Sequence, residues 1–261
     1  MPGTALITGA SSGIGAELAR CHAAAGGDVI LTARRTDALR ALKAELEERH
    51  GIAAHVFPCD LGQAGSAERL YQGVTDAGHE IEFLINNAGF GGVGHHIERP
   101  LDSQLAIIDV NVKALVTLTQ RFGADMAARR RGRILNVGST AGFMPGPNQA
   151  VYFATKAFVN SFSQAISHEL RPRGVTCTVL APGYVETEFA EVAGMEGTRL
   201  ARAGGATAEA AARCGYDAMM KGRLIAINDR KLSFLSNWIL PWVPRRLVLM
   251  AVARSMSGPP T

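Results

Sequence analysis

Tyr152-Phe153-Ala154-Thr155-Lys156 sets a phenol and an ammonium four residues apart, which on a helix puts both on one face. A free tyrosine has a pKa near ~10, so proton transfer at neutral pH calls for a neighbouring cation that favours the phenolate. Ser139, which closes an apolar strand-like run just before this segment, adds a hydroxyl able to stabilise charge developing on an oxygen. Such stabilisation is worth ~10²–10³-fold in rate. Thr140 beside it is a competing hydroxyl. Many helices carry a Tyr and a Lys at this spacing by chance. The pair gains weight here from its place, because α/β sheets hold their ligands at the C-terminal ends of strands.

An earlier segment, Thr8-Gly9-Ala10-Ser11-Ser12-Gly13-Ile14-Gly15, follows the first apolar run and leads into Ala16-Glu17-Leu18-Ala19-Arg20. Glycines at a strand-to-helix passage permit a tight turn and let backbone approach an anion. The first free N–H groups and the positive end of the helix dipole then hold that anion. The segment reads as a dinucleotide pyrophosphate site of G-x-x-x-G-x-G spacing. The more familiar G-x-G-x-x-G stands at Gly89-Phe90-Gly91-Gly92-Val93-Gly94, but His95-His96 follow it and Pro100 precedes the next helical pattern. The helix that should open at its last glycine is missing, so this copy reads as a decoy. An NAD site carries an acid at the end of the second strand, where it accepts from a ribose hydroxyl. Here that place reads Thr32-Ala33-Arg34-Arg35, with no acid before Asp37. Two guanidiniums suit a 2′-phosphate, so Arg34 and Arg35 predict NADP(H).

These groups need elements to position them. Short apolar runs at Ala5–Thr8, Val29–Thr32, His55–Phe57, Phe83–Ile85, Ile134–Val137, Thr176–Leu180 and Leu224–Ile227 alternate with longer helical patterns. Helices are expected to start near Ile14, Asp37, Ala67, Asp102, Val151 and Ala208, with Thr36 as the N-cap of the second. In that helix Leu39, Leu42 and Leu46 recur on one face while Arg40, Lys43, Glu47 and Glu48 point away. Parallel strands need crossover connections, so the alternation predicts an α/β, Rossmann-type doubly wound sheet of about seven mostly parallel strands with helices on both faces. No repeat or linker divides residues 1–261, which are expected to form one dinucleotide-binding and catalytic domain. Residues 184–206, rich in Gly, Ala, Glu and Thr, read as a mobile lid over substrate, and 229–261 as a variable tail.

Composition narrows the function classes. Hydrophobic residues at 47%, charged residues at 19% and a mean hydropathy of +0.08 exclude disorder and fibrous repeats. The net charge of +4 comes largely from Arg129-Arg130-Arg131-Gly132-Arg133, and with aromatics at only 6% that run reads as a solvated helix end rather than a nucleic-acid stripe. Cys21, Cys59, Cys177 and Cys214 have no metal-ligand or redox spacing and read as reduced, mostly buried thiols. His95, His96 and Glu98 do not converge naturally on one ion, so no metal is expected; a loop near the pocket mouth is. With no room for a cleavable leader before the first strand, and with Pro241, Pro244, Arg245 and Arg246 interrupting the late apolar segment, a cytoplasmic chain without a spanning helix is expected.

Taken in order, Thr8 to Gly15, Asn86-Asn87-Ala88-Gly89, Asn111, Val137-Gly138-Ser139, Tyr152 with Lys156, and Pro182-Gly183 resemble the short-chain dehydrogenase/reductase family in its compact single-domain form, over roughly Thr4 to Thr187. The resemblance implies that Tyr152 donates or accepts the proton and that Lys156 lowers its pKa and holds a ribose hydroxyl. Ser139 would bond the carbonyl oxygen, and Asn111 would support a water relay. It also implies that Asp60 and Leu61 contact adenine, that Asn87, Ala88 and Gly89 line the cofactor cleft, and that Pro182, Gly183 and Thr187 face the nicotinamide. Gly138 departs from the family pattern, where a second Ser is common, and little consequence is expected. The implied activity is hydride transfer between NADP(H) and a carbonyl/alcohol pair, with reduction of an apolar ketone or aldehyde favoured by the apolar residues Phe90, Met144, Tyr184, Met195 and the tail. A non-catalytic NADP(H) sensor is the alternative. The resemblance further implies a homodimer or homotetramer. For Trp238, Ile239, Leu240, Trp242 and Val243, a clamp over substrate or a subunit contact is preferred to membrane association.

Overall fold

The computed structural model describes residues 2–256. The chain runs β1 (Thr4–Thr8), α1 (Gly13–Ala24), β2 (Val29–Thr32), α2 (Thr36–His50), β3 (Ala54–Val56), α3 (Ser66–Asp76), β4 (Ile81–Asn86) and α4 (Leu101–Ile108). A π-helical turn at Asp109–Ala114 leads into α5 (Leu115–Arg129), followed by β5 (Gly132–Val137), a 3₁₀ turn at Thr140–Phe143, α6 (Ala150–Leu170) and β6 (Val175–Leu180). Then come β7 (Val185–Glu186), α7 (Phe189–Val192), α8 (Arg199–Arg202), β8 (Ala206–Thr207), α9 (Ala208–Met220), β9 (Ile225–Ala226), α10 (Arg230–Phe234) and α11 (Arg245–Met256). The last five residues of the expected tail lie outside the described residues.

Seven strands form one sheet in the order β3-β2-β1-β4-β5-β6-β9, every pairing parallel. The pleat sends alternate residues to opposite layers. Ala5 and Ile7 of β1, Val29 and Leu31 of β2, and Phe83 and Ile85 of β4 join one buried cluster with α1, α2 and α9. Leu6, Ile30 and Leu84 join another with α3 and α5. Both faces are thus dry, which explains the near-continuous apolar runs. Strand order reverses between β1 and β4, and the carboxyl ends of those two strands open the crevice where such sheets hold ligands.

The helix starts agree with the sequence expectation to within one residue, but Thr36 is already helical. Arg35 caps α2, without a side-chain cap bond. Leu39, Leu42 and Leu46 are buried as the periodicity requires. Residues 184–206 are less irregular than their composition suggests. Val185 pairs with Ala206 in a two-stranded ribbon, and Thr198 caps α8 through its hydroxyl. Of the four thiols, all free, only Cys177 is buried, and the other three are half-buried because they lie on helix flanks or loops. The arginine run is not simply solvated: Arg131 pairs with Glu80 and Glu82, Arg129 with Glu80, and Arg133 donates to the Met219 and Met220 carbonyls that close α9.

Candidate functional site

Thr8 ends β1 buried, and its hydroxyl accepts from the backbone N–H groups of Asn87 and Ala88 at 3.0 Å each. The Asn87 side-chain amide donates back to the carbonyls of Thr8 (3.0 Å) and Gly9 (3.2 Å). These bonds tie the ends of β1 and β4 together at the crevice. Gly9 then turns with φ +66°, and a Cβ there would meet Asn87 and Ala88 at 2.8–2.9 Å, so no other residue fits without strain. Ser12 caps α1 without a side-chain bond, which leaves the first N–H groups of that helix free for a ligand.

Above this turn lies a cleft of about 820 Å³. Gly9, Ser11, Ser12, Gly13 and Ile14 form its floor, and Arg34 and Arg35 stand at one end with Asp60 and Leu61. Asn87, Ala88, Gly89, Ser139, Tyr152, Lys156 and Gly183 line it too, with Pro182 beside Ser139 and Thr187 against Gly13. Two predicted residues do not reach the cleft. Gly15 packs beneath the turn, where a Cβ would strike the Gly9 carbonyl and the Asn87 amide. Asn111 is buried in the π-helical turn: its Oδ1 accepts from Phe90 N–H at 3.1 Å, and its Nδ2 donates to the Phe90 carbonyl and the Thr155 hydroxyl at 3.0 Å each. Both ends of that amide are spent on stapling the loop after β4 to α6.

Tyr152 and Lys156 occupy successive turns at the start of α6. The Lys156 Nζ lies 5.8 Å from the centre of the Tyr152 ring and donates to the Val137 carbonyl at 2.8 Å. Burial pushes the Tyr152 phenol up to about 12, and the hydrogen bond with Ser139 opposes this only in part. Of the influences on the phenol, burial is the largest. Burial also lowers the Lys156 ammonium to about 8. At neutral pH the pair is a protonated phenol beside a cation.

Ser139 follows β5 in extended conformation (φ −170°, ψ 156°), accepts from Ala141 N–H at 3.1 Å and donates weakly to the Pro182 carbonyl at 3.5 Å. The competing Thr140 hydroxyl donates to the same carbonyl at 3.2 Å. Gly138 is less neutral than the sequence suggested, because a Cβ there would strike Asn160 Oδ1 and approach Val179 to 3.0 Å.

Three parts of the site carried no sequence signal. Glu188 pairs with Arg35 at 2.7 Å across 153 positions, and Arg35 also donates to the Ser12 hydroxyl at 2.8 Å. Those bonds from Arg35 and Ser12 hold the Glu188 carboxyl below its usual range. Asn160 supports Ser139 from behind, and Asn228 accepts from Gly183 N–H at 3.2 Å. The substrate side is apolar, as expected: Phe90, Met144, Tyr184 and Met195 line it, joined by Val252 and Met256 of α11. His95, His96 and Glu98 lie between β4 and α4 without lining the cleft, and His96 Nδ1 sits 2.6 Å from Gln104 Oε1.

Residues 3–196 match the family model described as short chain dehydrogenase. Over 188 residues the chain is 35% identical to the 3-oxoacyl-[acyl-carrier-protein] reductase of Synechocystis, a match covering 72% of this chain and 76% of that protein. It is 32% identical over 190 residues to the very-long-chain 3-oxoacyl-CoA reductase of Laccaria bicolor, covering 72% of this chain but only 56% of that longer relative. Among solved structures, a short-chain dehydrogenase from Sphingobium yanoikuyae in complex with NADPH superposes with a TM-score of 0.83 at 30% identity, covering 89% of this chain and 90% of that one.

Proposed function

The chain belongs to the short-chain dehydrogenase/reductase family, and from that premise we propose that it is an NADP(H)-dependent oxidoreductase that reduces an apolar ketone or aldehyde. The observation that carries the reading is the convergence of Ser139, Tyr152 and Lys156 on one wall of a cleft whose floor is the glycine turn. The residues fit a dinucleotide: the turn admits no side chain at Gly9, the first N–H groups of α1 are uncapped, and cationic Arg34 and Arg35 stand beyond them. Gly13, Ile14, Ser11 and Ser12 would hold the pyrophosphate, Asp60 and Leu61 the adenine end, and Lys156 a ribose hydroxyl. When bound, the cofactor supplies the hydride.

The protein's own part is to orient and to protonate. Ser139 donates to the carbonyl oxygen, favouring the charge that develops there. Tyr152, a protonated phenol at neutral pH, gives its proton to that oxygen. Phe90, Met144, Tyr184, Met195 and the tail surround the reacting group with apolar surface and offer no cluster of cations for a polyanion. The intact set of acid, cation and hydroxyl speaks against a sensor that merely binds cofactor.

The test is to titrate NADPH and NADH by fluorescence, then to follow loss of the tighter cofactor's absorbance with a panel of apolar ketones and aldehydes. Turnover with NADPH supports the reading. Tight binding with no turnover across a broad panel would transfer weight to the sensor.

A further inference from the structure

We propose that the outward face of the C-terminal segment, from Arg230 to Arg254, docks on an anionic lipid surface. The chain has only two tryptophans, and both lie here in water: Trp238 is 69% exposed and Trp242 85%. Phe234, Trp238 and Trp242 stand along one continuous stretch in which α10 runs on through a π-turn at Leu235–Ile239 and a 3₁₀ turn at Leu240–Trp242. Phe234 is 60% exposed, and Leu235 and Ile239 beside them are exposed too.

The helix α11 repeats the pattern. Val248, Val252 and Met256 turn inward onto the apolar cluster around Phe153, which also takes in Tyr152, while Leu247 and Met250 face out. A helix that is apolar on both sides is normally covered on both sides. Here the inner side is covered by the cleft and the outer side meets solvent. Exposed apolar area concentrated in this way marks an interaction surface.

Charge identifies the partner. From Arg230 to the end, the sequence holds Arg230, Lys231, Arg245, Arg246 and Arg254 and not one Asp or Glu. Arg230, Lys231, Arg245 and Arg246 are exposed, and none of the four joins an ion pair among the described residues. A two-fold contact between copies would lay this acid-free patch against itself, cation on cation. Anionic headgroups neutralise it instead, while tryptophan and phenylalanine rings settle at the headgroup level. With 12 residues, about 18 Å of helix, α11 is too short to cross a bilayer and would lie along it. Leu232, Val252, Ser255 and Met256 of the same segment wall the cleft, so docking sets its apolar side next to the lipid.

The two tryptophans make the segment its own probe. The full chain is mixed with phosphatidylcholine vesicles, with or without phosphatidylglycerol, and tryptophan emission and co-sedimentation are followed. The expected result is a blue shift, quenching by brominated acyl chains, and sedimentation with the phosphatidylglycerol vesicles. Arg245→Gln with Arg246→Gln should weaken binding roughly 30-fold, and Trp238→Ala with Trp242→Ala should abolish co-sedimentation. Far-ultraviolet circular dichroism checks that each variant is folded; if the tryptophan variant is not, bromolipid quenching of the unaltered chain still decides. Absence of both quenching and sedimentation overturns the proposal. So does a blue shift that grows with protein concentration without vesicles, which would show that a second copy covers the face. Binding is read without turnover, so it stands or falls separately from the proposed reaction.

Discussion

Asn160 Nδ2 donates to the carbonyl oxygen of Ser139 at 2.9 Å, one helical turn beyond Lys156. Its Oδ1 is buried without a hydrogen-bond partner and points to where a Cβ of Gly138 would stand. A side chain at residue 138 would therefore push on the amide that holds Ser139. Gly138→Ala is expected to destabilise the chain by ~1–3 kcal/mol through overpacking and to lower kcat by displacing Ser139. Combining it with Asn160→Ala should recover part of the stability but not the turnover. Thermal unfolding and steady-state kinetics on the double-mutant cycle would show this coupling, and strictly additive effects would contradict it.

Tyr152→Phe removes the proton donor and leaves the ring, which packs against Phe189 with centroids 5.3 Å apart. Turnover should fall by at least ~10²-fold, while NADPH affinity, measured by fluorescence titration, stays near that of the parent. Retention of most activity would show that another group delivers the proton.

Lys156 should set the alkaline limit of activity. Burial lowers its pKa to about 8 while Tyr152 rises to about 12, so the ammonium is the first of the pair to lose its proton as pH climbs. Reductive kcat/KM is expected to decline above pH 8, and a limb found only near 12 would point to Tyr152 instead. The stability consequence has the opposite sign. Between pH 8 and the ordinary lysine value of 10.5 the unfolded chain binds more protons than the folded one, so stability rises with pH through that window. At pH 7 the buried charge carries its full cost. Lys156→Met should therefore raise Tm at pH 7, by up to ~3 kcal/mol of stability, with the gain shrinking towards pH 10.5.

At the other end of the cleft, Arg34→Ala and Arg35→Ala should each weaken NADPH binding by ~10–100-fold and leave NADH nearly unaffected. Glu188→Gln removes the carboxylate paired with Arg35 at 2.7 Å and should tighten NADPH a few-fold, most clearly at low salt. Equal changes for both cofactors would place these arginines outside the 2′-phosphate's reach.

Much of this arrangement was legible in one dimension because it rests on local rules. The alternation of apolar strand runs with helical patterns implied a parallel sheet covered on both faces, and the helix starts followed within a residue. The glycine turn and the Tyr152–Lys156 spacing were readable for the same reason, since each is a short segment whose chemistry depends on its own backbone. What the tertiary structure decided are pairings and burials that no spacing encodes. Glu188 meets Arg35 only because the passage after β6 folds back over the end of β2. Asn160 reaches Ser139 because α6 packs on the turn after β5, and that contact is what a side chain at residue 138 would disturb. Burial, which depends on every neighbour at once, is what raises the phenol of Tyr152. The tail's two faces, one closing the cleft and one left to solvent, likewise became distinct only when α11 found its place, because which side of a helix is covered is settled by what packs against it.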